Sequence, residues 1–171
     1  MNRIYRYRND RRTLYWTALY FLAYLALGWA LYALYEGGYL SAWFASSIGA
    51  LLILMALSIP RRLELTTDNV RVVCLLDMTE IPYEEIAAVR RIEEEDKRLV
   101  FPVFGGCGFF GYYGHFLDLK RFDRILIYAS EWRNLVEITT IYEERIWLSC
   151  SEADELVEAI REAAKLTSGA A

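Results

Sequence analysis

Histidine is nearly absent: His115 stands alone among 171 residues. The cysteines are few and far apart, and Cys74, Cys107 and Cys150 form no CxxC pair. A structural zinc site needs four nitrogen or sulfur ligands at short spacings, so no metal is expected. An odd number of scattered cysteines is also no disulfide framework, and these read as small apolar side chains in a reducing compartment. Catalysis lacks material as well. General acid–base work favours a histidine or a tuned carboxylate near a nucleophile. His115 lies among aromatics, Glu84-Glu85 and Glu143-Glu144 are adjacent pairs at turns, and Ser151 reads as a helix cap. No catalytic residue and no cofactor are expected.

Charge is missing from two long stretches. No Asp, Glu, Lys, Arg or His occurs from Thr13 to Tyr35 or from Gly37 to Pro60. The first run has 23 residues, and the second, Tyr39–Ile59, has 21. A hydrocarbon core of about 30 Å takes roughly 20 helical residues, so both are long enough to span. Buried helices of a small soluble domain keep a polar face, and neither run has a charged stripe. A cleaved signal peptide has a shorter apolar region and would not be followed at once by a second run. Glu36-Gly37-Gly38 supplies a tight reversal, which makes the pair a hairpin. Tyr15, Trp16, Tyr32, Tyr35, Tyr39 and Trp43 cluster near its ends, as interfacial rings do.

Cations are absent from the turn and concentrated at the open ends. Arg3, Arg6, Arg8, Arg11 and Arg12 precede the first run, and Arg61 and Arg62 follow the second. The Lys/Arg-rich flanks mark the cytoplasmic side, so both termini are expected there, with the protein a multi-pass component of the cell membrane. From Leu63 onward 12 Lys/Arg face 21 Asp/Glu, a balance of −9. Nucleic-acid affinity rests on cations that neutralise phosphates, so this acidic part is not expected to bind DNA or RNA.

What remains is a β-rich segment closed by a helix. Leu63–Thr66 alternates apolar and polar, Thr67-Asp68-Asn69 is a turn signal, and Val70–Leu76 is β-branched. A further strand runs from Ile81 through Ile92 to the charge cluster Glu93–Arg98, which reads as a solvated turn. Three more are expected at Arg124–Ser130, Leu135–Thr140 and Glu144–Leu148. Ser151–Lys165 is an amphipathic helix with Ala153, Leu156, Val157, Ile160 and Ala164 on one stripe.

The run Ile81-Pro82-Tyr83-Glu84-Glu85-Ile86, the stretch Phe104–Gly111 and the strand Tyr128-Ala129 before Asn134 resemble the bacterial pleckstrin-homology-like (bacterial PH) family. The resemblance runs from about Arg61 to Lys165 and extends to the order of strands ending in a helix. It implies an α+β membrane protein: a transmembrane helical hairpin, then a PH-like antiparallel β-barrel or bent sheet with one C-terminal helix. The expected division is a basic arm (1–12), the hairpin (13–60, helices about 13–35 and 39–59), a PH-like domain (61–166) and a flexible tail (167–171). Phosphoinositide recognition is not carried over. Thr66–Asn69, the first hairpin turn, has only Arg71 nearby and no cluster of cations to match a polyphosphate.

Gly106-Cys107-Gly108-Phe109-Phe110-Gly111 spells GxGxxG. The dinucleotide fingerprint needs a strand before it and a helix straight after. Here Tyr112–Phe116 follows, glycine-broken and aromatic, so nucleotide binding is not expected. Seven aromatic rings and five glycines stand between Phe101 and Phe116 without one acid, lysine or arginine. Either the rings fill the mouth of the barrel, or some of them, with Phe109, Phe110, Tyr112 and Tyr113 the candidates, face outward to the bilayer or a partner. The function that follows is an interaction or assembly module at the cytoplasmic face, acting on a protein partner or a second copy. The alternatives are a structural subunit of a larger transport or secretion complex and, less favoured, a membrane-bound enzyme.

Overall fold

The computed structural model describes residues 3–7, 11–34, 38–57, 59–75 and 78–168. Two helices, α1 (Arg11–Leu34) and α2 (Tyr39–Leu57), lie between the strands β1 (Arg3–Arg6) and β2 (Pro60–Leu65). β1 and β2 pair antiparallel, with Arg3 opposite Leu65 and Arg6 opposite Arg62. The helices are therefore inserted into a β-hairpin. The segment read as a basic arm instead supplies an edge strand, because Tyr5 and Tyr7 are apolar enough to join the core. Tyr5 is buried among Leu63, Leu65 and Val72, and the Tyr7 hydroxyl donates to the Tyr128 carbonyl at 3.2 Å.

β3 (Asn69–Cys74) and β4 (Met78–Pro82) complete a four-stranded sheet in the order β1-β2-β3-β4. After a single 3₁₀ turn at Tyr83–Glu85 come β5 (Ile86–Arg91), β6 (Val100–Cys107), β7 (Tyr112–Asp118), β8 (Asp123–Ala129), β9 (Leu135–Thr140) and β10 (Arg145–Ser149). They form a second sheet ordered β5-β9-β10-β8-β7-β6. The fold is α+β as expected, but its second sheet is mixed, since β10 runs parallel to β8. The β9–β10 hairpin inserts beside β5 and β8 instead of adding to the end of a meander. The glycine-aromatic stretch, to which the sequence assigned no strands, is the β6–β7 hairpin.

β9 and β10 are buried on both faces. On one face Val136, Ile138, Ile146 and Leu148 meet the four-stranded sheet and α3 (Ala153–Ser168). On the other, Leu135 and Trp147 join Phe116, Ile125 and Ile127. Burying both faces removes the alternation that marks a half-exposed strand, and hydrophobic area of this order is the main favourable term in folding. The first α3 hydrogen bond runs from Leu156 N to Glu152 O, so the helix starts two residues beyond Ser151, the expected cap.

Among the described residues, α1 is the one helix long and apolar enough to cross a membrane. The apolar window of α2, Tyr39–Leu54, is shorter. The two pack as neighbours, with Tyr24 donating to the Ala45 carbonyl at 3.0 Å and stacking on Phe44. Of the expected reversal, Gly38 has φ +65° and Glu36-Gly37 lies outside the described residues, as do Arg8 and residues 169–171 of the tail.

Candidate functional site: the junction of helix and sheet

The start of α1 is built into the domain. Thr13 and Thr17 are buried, one helical turn apart on a single face. Thr13 Oγ1 donates to Ser130 O at 3.2 Å. Thr17 Oγ1 accepts from the Phe110 amide at 2.9 Å and lies 2.8 Å from Thr13 O and 3.2 Å from Gly108 O. One turn on, the Tyr20 hydroxyl donates to Cys107 O at 3.2 Å, and Phe21 packs on Phe109 with ring centroids 5.8 Å apart. Residues 13, 17, 20 and 21 thus follow the i, i+4, i+7, i+8 stripe of one helix face.

Glycine makes the approach possible. A Cβ on Gly108, whose φ is +87°, would meet the Trp16 Cβ at 3.2 Å. The Tyr113 ring lies directly over Gly106, where a Cβ would fall 2.3 Å from Cζ. The GxGxxG spelling therefore serves a close approach of backbone to a helix and a ring.

The rings proposed as an outward contact surface are mostly inside. Phe109, Tyr112 and Tyr113 are buried and Phe110 is half-buried, because α1 covers the turn and the tilted Trp132 ring packs on Tyr112 with centroids 4.6 Å apart. Burial also pushes the Tyr113 phenol above its ordinary value. The exposed apolar side chains stand one strand earlier on the β6 edge: Phe101 at 50%, Val103 at 66% and Phe104 at 79%. The continuous exposure of Phe101–Gly105 on this edge strand was not legible in a run where every residue is apolar. On the far side of β7 a cavity of about 650 Å³ separates the hairpin from α2, lined by Leu51, Leu54, Val103, Phe104, His115 and Tyr128. The β6–β7 hairpin end thus lies between α1 and α2.

Of the flanking cations, Arg3 pairs with Glu155 at 3.0 Å and Arg62 with Glu64 at 2.6 Å. Arg6 takes its place in β1, while Arg11, Arg12 and Arg61 are exposed and make no ion pair among the described residues. Arg71, the cation near the first hairpin turn, is taken up by Glu80 at 2.7 Å. His115 is exposed, with no carboxylate in hydrogen-bonding reach among the described residues, and gives the enzymatic alternative no support.

A buried charge cluster escaped the sequence reading. Glu137 Oε2 accepts from Arg145 at 2.7 Å and from the Trp147 indole at 2.7 Å, while its Oε1 accepts from Arg90 at 2.8 Å. Arg145 also donates to Asp118 at 2.8 Å. Desolvation pushes the Glu137 carboxyl up, but hydrogen bonds from Arg90, Trp147 and Arg145 outweigh it and hold the group below its ordinary 4.5. Asp118 is also lowered, since the bond from Arg145 and backbone donors overcome desolvation. The carboxylates and guanidinia neutralise one another, with one Arg90 nitrogen buried and unpartnered, which is the arrangement of a structural network. Position 137 shares a face with Leu135, and no local pattern distinguishes it from a solvent-facing strand residue.

Two packed sheets closed by a C-terminal helix, with a helical pair rising from one end, define a helix-tethered β domain. The bacterial PH domain family matches residues 61–164, well over half of the chain. The chain belongs to that family, whose fold is a module for interaction. No curated protein and no solved structure matches it.

Proposed function

We propose that this protein is a membrane-anchored interaction module, with α1 and α2 crossing the cell membrane as a hairpin and the PH-like domain held at the cytoplasmic face. The observation that carries this reading is the docking of α1 through Thr13, Thr17 and Tyr20. A hydrogen-bonded junction holds the domain at one height and orientation, which a flexible tether would not do. The arginine flanks, set against a lone Glu36 in the turn, support the orientation.

The partner is a protein or a second copy, and it meets the end of the domain away from the helices. Phe122, 83% exposed, and Tyr142 each stand three residues ahead of the paired positions Ile125 and Arg145. They therefore mark the same end of neighbouring strands. Phe122→Asp with Tyr142→Asp should abolish a crosslinked product formed in native membranes while leaving the protein in the membrane pellet. An unchanged product, or none in the parent protein, overturns the docking claim. Full-length protein that stays in the supernatant without detergent overturns the anchor. A subunit role in a larger assembly is the second reading. Gly28 and Gly49 face open space on the helices, which leaves room for another helix to approach closely. The mass of the complex in mild detergent decides between them.

A further inference from the structure

Resting on the anchor reading, we infer that the turn-proximal part of the β6 edge is itself immersed in the cytoplasmic leaflet, with phospholipid acyl chains against Val103 and Phe104 and in the crevice behind them. The argument begins with length. α1 has 24 residues and ends at Leu34. Counted back from there, a hydrocarbon core of about 30 Å takes about 20 residues and reaches Tyr15. Every contact of α1 with the β6–β7 turn through Thr17, Tyr20 and Phe21 lies inside that count. Beyond Phe21 only Leu22–Leu34 is free of the domain, and 13 residues cover about 20 Å. α2 agrees: Leu51 and Leu54 already face the domain, leaving Tyr39–Ala50 for about 18 Å. The hairpin cannot cross unless the domain's own end enters the boundary.

That end is suited to it. From Val100 to Leu117 there is no acid, lysine or arginine, and the exposed side chains of β6 are apolar. Tyr15 and Trp16, exposed at the limit of that count, form an aromatic belt, and rings of this kind sit among headgroups. The crevice lined by Leu51, Leu54, Val103 and Phe104 is mostly apolar.

Pairing with a second copy is the competing use of an edge strand. Pro102 removes one donor from this edge, and a register shift between Pro102 and Phe104 breaks its line, both of which oppose strand addition. The same features suit a lipid boundary, where an unpaired backbone donor is costly. Immersion is therefore shallow, with the side chains reaching the acyl region and the strand backbone remaining within reach of interfacial water.

The test places p-benzoylphenylalanine at Phe104, Phe122 or Leu25 in the full-length protein, reconstituted in phosphatidylethanolamine and phosphatidylglycerol vesicles. Phe104 and Phe122 are solvent-facing in the fold and Leu25 is exposed on α1, so none of the three replacements disturbs the core. After irradiation, mass spectrometry is expected to find acyl-chain adducts at Phe104 and Leu25 and none at Phe122. An adduct at Leu25 alone overturns the immersion and leaves the anchor standing. A protein–protein adduct at Phe104 also overturns it, because protein then covers the edge. Absence of lipid adducts at both Leu25 and Phe104 removes the anchor reading, and the immersion with it.

Discussion

At the scale of single residues the decisive group is Arg145. It is buried and bridges Asp118 and Glu137, while Glu137 also holds Arg90 and the Trp147 indole. A buried pair adds little over an apolar filling, but removal of one partner costs about 3–5 kcal/mol because a charge is stranded. Arg145→Leu should show a loss of that order in chemical denaturation at neutral pH. The sign of the pH dependence checks the cause. In the parent protein both carboxyls are lowered, so their stabilisation is complete above the unfolded values and fades as pH falls below about 4.5 through the folded ones. In Arg145→Leu the desolvation of Asp118 loses its main counterweight and that of Glu137 loses one of three, their folded values rise, and acid should narrow the gap between variant and parent. A gap that stays constant with pH would mean the arginine acts through packing alone.

At the scale of elements the junction rests on one helix face and one glycine turn. Thr17→Val removes the acceptor of the Phe110 amide while keeping the volume of the side chain. Hydrogen exchange at that amide should accelerate, while amides in the β8–β10 pairing stay protected. Gly108→Val asks a β-branched residue to adopt φ +87° and places a Cβ against Trp16. Strain of about 1–3 kcal/mol is expected, read as a lower melting temperature in detergent. The existence of α1, α2, α3 and strands β2, β3, β8, β9 and β10 was legible because periodicity and charge spacing are local. The parallel β8–β10 pairing, the burial of Glu137 and the docking of Thr13 and Thr17 were not, because each depends on residues more than seven positions apart in sequence. The charge-free aromatic stretch announced itself, but composition could not tell its covered side from its open one. α1 decides that, burying Phe109 and leaving Phe104 outside.

At the scale of the molecule, the apolar helices interrupt the domain instead of preceding it. β1 pairs with β2 across the whole helical insertion, so the folding unit is residues 3–7 together with 60–168. A chain begun at Pro60 would contain the family-matched segment but leave β2 as a bare edge, vacate the site of Tyr5, and lose the Tyr7 bond to Tyr128. Emptying a single large aromatic site costs about 3–5 kcal/mol, so this shortened chain should be destabilised by at least that much and self-associate through the exposed edge. Joining Tyr7 to Arg61 through a short Asn-Gly turn should instead keep the sheet, because Arg6 stands opposite Arg62, which sets Tyr7 opposite Arg61, and an antiparallel pair needs only a two-residue connection. This minimal chain loses Thr13 and Thr17, so its β6–β7 turn should exchange faster than in the parent, while the β2–β3 and β8–β10 amides remain slow. Denaturation midpoints and light scattering of the two shortened chains make the comparison. If both unfold alike, β1 contributes nothing that the rest of the sheet lacks, and the helices are an appendage after all.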